Sequence, residues 1–291
     1  MKQVHDVPEA VTWSRSMRRA GLSVGLVPTM GSLHEGHLAL VDVARRECDR
    51  VAVSVFVNPT QFGQSEDLKH YPRRPEDDAR LCAERGVDLV LWGGTDGDGA
   101  VYRDGFQTWV DVEKLSAPLC GAFRPGHFRG VATVVKILFG IFEPHRAYFG
   151  LKDYQQARLI ERMTHDLYEE VVVRLVPIVR DADGLALSSR NAYLAESDRA
   201  VAVTIPRALE RARQASLRGE KRPAELLRLV RESLAEEPRL EVEYCQIVDA
   251  MTLESLDVED VKPGAEGCVV AIAAWVGSSQ RTRLIDNVWI K

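Results

Sequence analysis

Cysteine is sparse in this chain and forms no pattern. Cys48, Cys82, Cys120, Cys245 and Cys268 are five of 291 residues, an odd number with no C-x-x-C spacing. A disulfide scaffold and a zinc ribbon are both excluded, and a reducing, cytoplasmic setting is expected. Long apolar runs are lacking too: the most apolar stretch, Gly130 to Phe142, is short and interrupted by Lys136, and the opening MKQVHDVPEAV has no apolar signal-peptide core. No segment is expected to enter or span a membrane. Excess positive charge is absent, since 38 Lys and Arg face 43 Asp and Glu for a formal charge of -5. The whole molecule repels polyanions, so nucleic acid is not an expected partner, and any anionic ligand must be held by local donors. Internal repeats, low-complexity tracts, a G-x-S-x-G elbow, a Walker loop and a paired-carboxylate device are all missing as well.

What remains is the composition of a folded enzyme, 45% hydrophobic and 28% charged, on a chain long enough for two cores. Over the first 180 residues, short β-branched runs alternate with amphipathic segments. The runs Val24 to Val27, Val51 to Val57, Val87 to Trp92, Arg146 to Phe149 and Val171 to Val176 are almost continuously apolar. Strands buried on both faces read this way, and with helices near 8–19, 35–48, 75–85, 130–141 and 153–167 they predict a doubly wound, Rossmann-like α/β domain over 1–182. After Ala182-Asp183-Gly184 the texture changes. Helical periodicity over Ser197 to Leu217 and Pro223 to Glu236, then alternating strands over Glu241 to Val248, Cys268 to Val276 and Arg283 to Trp289, predict a smaller α+β domain over 183–291. Arg207, Arg211, Arg213, Arg228 and Arg231 alternate with Glu on its helices, the pattern of a solvated helical face.

The chemistry is concentrated where predicted strands turn into helices. Val27-Pro28-Thr29-Met30-Gly31-Ser32-Leu33-His34-Glu35-Gly36-His37 leaves a buried strand, turns on Gly31 and opens a helix. His34 and His37, three residues apart, share one face of its first turn, where unpaired N–H groups and the positive end of the helix dipole favour an anion. Asn58-Pro59-Thr60-Gln61 follows the second strand at the carboxyl edge, the place where open α/β sheets bind ligands. Arg124-Pro125-Gly126-His127-Phe128-Arg129-Gly130 is a donor-rich turn that either lines that cleft or caps the helix after it. Gly150-Leu151-Lys152-Asp153-Tyr154-Gln155-Gln156 supplies a point charge for phosphate, and Leu187-Ser188-Ser189-Arg190-Asn191 supplies hydroxyls, a guanidinium and an amide in succession. Neutral and cationic donors without a carboxylate pair suit transfer at a phosphorus centre, which needs positioning and charge neutralisation more than a protein nucleophile. Asp77 and Asp78 are open to two readings, a magnesium site or exposed carboxylates at a helix start.

With the segments Pro28–His37, Val55–Phe62, Arg124–Phe128, Tyr148–Gln156 and Leu185–Asn191 in this order, the whole chain resembles the pantothenate synthetase family. The His34-Glu35-Gly36-His37 core alone would indicate only the wider nucleotidyltransferase superfamily, whose members acting on a phosphate acceptor are the competing reading. The resemblance implies an ATP-dependent, amide-forming ligase joining pantoate to β-alanine through a pantoyl adenylate, with release of AMP and pyrophosphate. It also implies magnesium, a cytoplasmic homodimer and no tightly bound organic cofactor. It makes His37, His34 and Lys152 catalytic, with His37 the proton donor. It puts Met30, His34, Gly36, His37, Gly150, Lys152, Asp153, Val179, Leu187, Ser188, Ser189 and Arg190 around ATP, and gives pantoate to Gln61 and Gln156, with Gln61 also near β-alanine. Lys152 is expected with the histidines in the first domain and Ser188 to Arg190 in the second, which would act as a lid. Two departures from the family pattern stand out: Ser32, where alanine is usual, and a glycine-rich stretch from Trp92 to Gly99.

Overall fold

The structure is a computed structural model, and it describes residues 1–63, 67–94, 100–257, 262–277 and 281–291. The glycine-rich stretch at 95–99 thus lies outside the described residues. The chain divides into two compact units. The first comprises 1–116, 124–151 and 156–177, and the second 117–123, 152–155 and 178–291.

The first unit is a six-stranded, wholly parallel sheet in the order β1 (Lys2–Val4), β4 (Leu89–Trp92), β3 (Arg50–Val55), β2 (Val24–Thr29), β5 (Arg146–Gly150), β6 (Val172–Val176). Its helices are α1 (Val7–Arg19), α2 (Glu35–Glu47), α3 (Pro75–Glu84), the single turn α4 (Glu113–Ser116), α6 (His127–Phe142) and most of α7 (Tyr154–Asp166). Inner strands are apolar on both faces for a physical reason. Val27, Val53 and Val90 pack with Leu40, Val41 and Ala44 of α2 and Cys82 of α3, while their neighbours Leu26, Ala52, Leu89 and Leu91, equally buried, point to the other side. β1, three residues with only Val4 buried, is too short to show periodicity and was not expected from sequence.

From β2 the chain steps outward to β3 and β4, then resumes at β5 on the opposite side of β2. The reversal makes the carboxyl end of β2 the topological switch point of the sheet, which is where folds of this kind open a crevice for ligands.

The second unit is a three-stranded antiparallel sheet, β7 (Glu241–Asp249), β8 (Cys268–Val276) and β9 (Thr282–Ile290), with β8 central. One face packs on α8 (Glu196–Ala202), α9 (Thr204–Leu217) and α10 (Pro223–Ala235) through Ile205, Leu209, Leu227, Val230, Ile247, Val270 and Ile272. The single helix expected over 197–217 is interrupted at Val203. Pro206 lacks the N–H that would close onto the Ala202 carbonyl, so the helix restarts there. Four of the five arginines named on these helices are tied to acids, Arg211 to Glu236, Arg213 to Glu210, Arg228 to Glu225 and Glu232, and Arg231 to Asp257, as on a solvated helical face.

Two short excursions belong to this second unit. α5 (Cys120–Phe123) is held by Tyr244, whose hydroxyl lies 3.1 Å from the Cys120 sulfur. The 152–155 segment is held by the Tyr154 hydroxyl donating to the Ala250 carbonyl at 2.8 Å, and by the Gln155 amide donating to the Pro118 carbonyl at 2.7 Å. Lys152 is therefore a residue of the second unit, not of the first as expected. The contacts responsible join residues 96 and 37 positions apart, beyond the reach of periodicity.

Candidate active site

The turn after β2 is built from two left-handed residues. Gly31 has φ +82°, and a Cβ there would meet Val55 Cγ1 at 2.9 Å and Asp78 Oδ2 at 3.0 Å, so only glycine fits. Ser32 follows at φ +51°, a conformation that costs a residue with a side chain about 1 kcal/mol. What holds it is Asp78 on α3. Its Oδ2 accepts the Ser32 N–H at 2.8 Å and its Oδ1 the Leu33 N–H at 2.7 Å. Burial pushes the Asp78 carboxyl above its usual range, against the pull of those two amides. Asp78 is thus a buried clamp, neither of the two roles weighed from sequence, whereas Asp77 is exposed beside Arg80.

The clamped turn delivers His34 as the N-cap of α2. Its Nδ1 accepts the Gly36 N–H at 3.1 Å, and the His34 N–H donates to His37 Nδ1 at 3.4 Å, a reciprocal capping box. An Nδ1 that accepts an amide proton carries none of its own, so each ring bears its hydrogen on Nε2. The rings lie 4.1 Å apart between centroids. Two imidazole donors therefore stand together at the positive end of α2, at the switch point of the sheet.

Beside them, Asn58 is buried and acts as a hub. Its Oδ1 accepts from the Thr60 N–H, the Thr60 hydroxyl at 2.9 Å and the Tyr102 hydroxyl at 3.0 Å. Its Nδ2 donates to Gln61 Oε1 and to the Gly130 carbonyl, each at 3.1 Å. Gln61 Nε2 in turn lies 3.1 Å from the Met30 sulfur. The donor-rich 124–130 turn closes on the same residue, because His127 Nδ1 donates to the Gln61 carbonyl at 2.8 Å and Arg124 donates to His127 Nε2 at 3.0 Å. Gly130 permits this approach: a Cβ there would stand 2.5 Å from the Thr60 carbonyl oxygen. The roles of Asn58, Tyr102 and Asp78 in the site were missed from sequence. The available signal was a glycine inside the apolar 130–142 run, which marks close backbone approach.

Within the first unit the structure joins Gln61 to Met30 and sets His34, Gly36 and His37 at the start of α2; Gly150 ends β5, the strand on the other side of β2, and Gln156 lies in the first turn of α7. Lys152, Asp153, Val179, Leu187, Ser188, Ser189 and Arg190 are grouped in the second unit. There the Leu187 N–H donates to the Val179 carbonyl at 3.0 Å, and Ser188 Oγ caps the following turn by accepting the Arg190 N–H at 3.3 Å. Lys152 Nζ is 3.8 Å from Asp153 Oδ2.

No three His, Cys, Asp or Glu among the described residues cluster as a metal cage, and both Asp78 oxygens are engaged by backbone. The donor set suits phosphate rather than a resident cation.

A doubly wound parallel sheet with histidine donors at a helix mouth is an α/β arrangement suited to hold the phosphates of a nucleotide. The comparisons narrow this to one family. Residues 2–289 match the family described as pantoate-beta-alanine ligase. A pantothenate synthetase from Heliobacterium modesticaldum is 46% identical over the full length of both chains. The crystal structure of the pantothenate synthetase from Thermus thermophilus superimposes with a TM-score of 0.88 at 45% identity, covering 100% of this chain and 99% of that one. A ligase from Francisella tularensis, complexed with beta-gamma ATP and beta-alanine, matches with a TM-score of 0.77 at 30% identity over 99% of this chain and 97% of that one. The chain belongs to the pantoate-beta-alanine ligase family.

Proposed function

We infer that this protein joins pantoate to β-alanine at the expense of ATP, in two steps. The pantoate carboxylate attacks the α-phosphorus, the bond to the bridging oxygen breaks, and pyrophosphate departs. The β-alanine nitrogen then attacks the acyl carbon, a C–N bond forms, AMP leaves with the C–O electron pair, and the amine gives up a proton. The observation that carries the reading is the histidine capping box, which holds two Nε2–H donors at a helix N-terminus on the switch point of the sheet. Such donors stabilise negative charge more as it builds on departing phosphate than in the ground state.

In this reading His37 donates to the leaving phosphate, with His34 and Lys152 neutralising charge. Met30, Gly36, Gly150, Asp153, Val179, Leu187, Ser188, Ser189 and Arg190 bind ATP. Gln61 and Gln156 hold pantoate through amides that both donate and accept, and Gln61 is also near β-alanine. Magnesium comes with the triphosphate, since a hydrated ion shared with phosphate oxygens needs few protein ligands. That the second unit serves as a lid is supported chemically, because an acyl adenylate must be kept from water. Homodimer assembly and a cytoplasmic location complete the proposal. Five free, buried thiols suit a reducing compartment, and no helix among the described residues is long and apolar enough to cross a membrane.

The test is isotope exchange between pyrophosphate and ATP. It is expected only with pantoate present, and full turnover is expected to yield AMP and pyrophosphate. ADP and inorganic phosphate as products would overturn the adenylate mechanism.

A further inference from the structure

β9 carries two consecutive buried polar residues, Asp286 and Asn287, in an otherwise apolar Leu284–Ile290 run. Successive strand residues face opposite sides, and burying polar groups is costly unless each finds a partner. Asp286 receives both Arg180 Nη atoms, at 2.6 and 3.0 Å, and Arg180 also donates to the Gly184 carbonyl at 3.0 Å. That guanidinium straps the 179–187 hairpin, from which Ser188 to Arg190 emerge. On the other side Asn287 Nδ2 donates to the backbone carbonyl of Lys152 at 2.9 Å. The bond holds the main chain of Lys152 and leaves its ammonium to act elsewhere.

We propose that Asn287 is a positioning residue for Lys152: it fixes the lysine backbone to the strand whose preceding residue anchors the Ser188–Arg190 loop, so that β9 sets how far apart these phosphate donors stand. The proposal rests on the reading of Lys152 as an ATP-site residue. A displacement of about 1 Å in a charge-bearing group is enough to cost on the order of 100-fold in rate.

The experiment is a double-mutant cycle on the full-length enzyme with Asn287→Ala, Lys152→Ala and the pair, reading KM for ATP, KM for pantoate and the rate of pantoate-dependent pyrophosphate exchange. Asn287→Ala is expected to slow exchange by about 10-fold, raising KM for ATP and leaving KM for pantoate unchanged. Because Asn287 acts through Lys152, the double variant should be no slower than Lys152→Ala alone. Multiplicative losses in the double variant, with Lys152→Ala itself impaired, would overturn the positioning role and spare the reading of the site. An unimpaired Lys152→Ala would overturn both. If the alanine variant fails to fold, Asn287→Gln replaces it in the cycle; it keeps the donor on a longer arm and is expected to give a smaller rise in KM for ATP, again absent on a Lys152→Ala background.

Discussion

His37 caps the His34 N–H through its Nδ1, and in the proposed mechanism its Nε2 also donates to the departing phosphate, so mutation removes both together. His37→Ala is expected to slow adenylate formation by roughly 100-fold or more, the scale of one preorganised donor, and to cost about 1 kcal/mol as a lost cap. Single-turnover kinetics and urea midpoints measure the two separately, and unchanged adenylation with only the amine step slowed would reassign the residue. Asp78 carries a further pH signature. Its carboxyl is pushed above the ordinary Asp value by burial, so the folded state binds its proton more tightly than the unfolded chain does. The contribution to stability is complete below about pH 4 and is lost as pH rises through the raised value. Asp78→Asn should remove that component, so that the urea midpoint at pH 7 rises relative to that at pH 4. It should also slow adenylation, because an amide offers only one oxygen to the Ser32 and Leu33 N–H groups.

Among the elements, α6 bears most directly on the site, since it meets the Asn58–Gln61 turn through His127 and Gly130. Gly130→Ala places a methyl 2.5 Å from the Thr60 carbonyl oxygen, and α6 must retreat or the turn must shift. The expected outcome is a destabilisation of about 1–3 kcal/mol, read from the denaturant midpoint, with a raised KM for pantoate because Gln61 is displaced. Strands β2 to β6 and the long helices of the first unit were legible in the sequence because a parallel sheet buries both faces, and apolar runs such as Val24–Val27 then have a single explanation. The turn between β2 and α2 was legible for the same reason, its neighbours on both sides being well defined. Asp78 was not, because a carboxylate at a helix start looks alike whether it faces solvent or the backbone of a turn 45 residues away. Nor was the break at Val203, where Pro206 outweighed a strong helical period.

At the scale of the whole molecule, His34 and His37 belong to one unit, and Lys152 and Ser188 to Arg190 to the other. If the second unit guards the adenylate, weakening its hold on phosphate should leak water. Arg190→Ala is expected to raise KM for ATP and to release AMP in excess of pantothenate when both are measured in one assay. A one-to-one ratio with unchanged ATP binding would dismiss the lid. The assignment of Lys152 to the second unit could not be read from sequence, since its segment bonds to Ala250 and Asn287, 96 and 135 residues away from their partners Tyr154 and Lys152.

The excursions of the chain also bear on how the protein is made. Residues 117–123 and 152–155 bond to each other and to Tyr244, Ala250 and Asn287, so a ribosome that has released the first 177 residues has delivered these pieces without the last three partners. Domains generally fold in the order of their synthesis, and here that order cannot be completed. The main chain of Lys152 waits for Asn287, 135 residues further along, and until that residue is made the lysine proposed for ATP lacks this anchor. A fragment ending at 177 stays in that condition permanently, and limited proteolysis at 117–123 and 152–155 would reveal it.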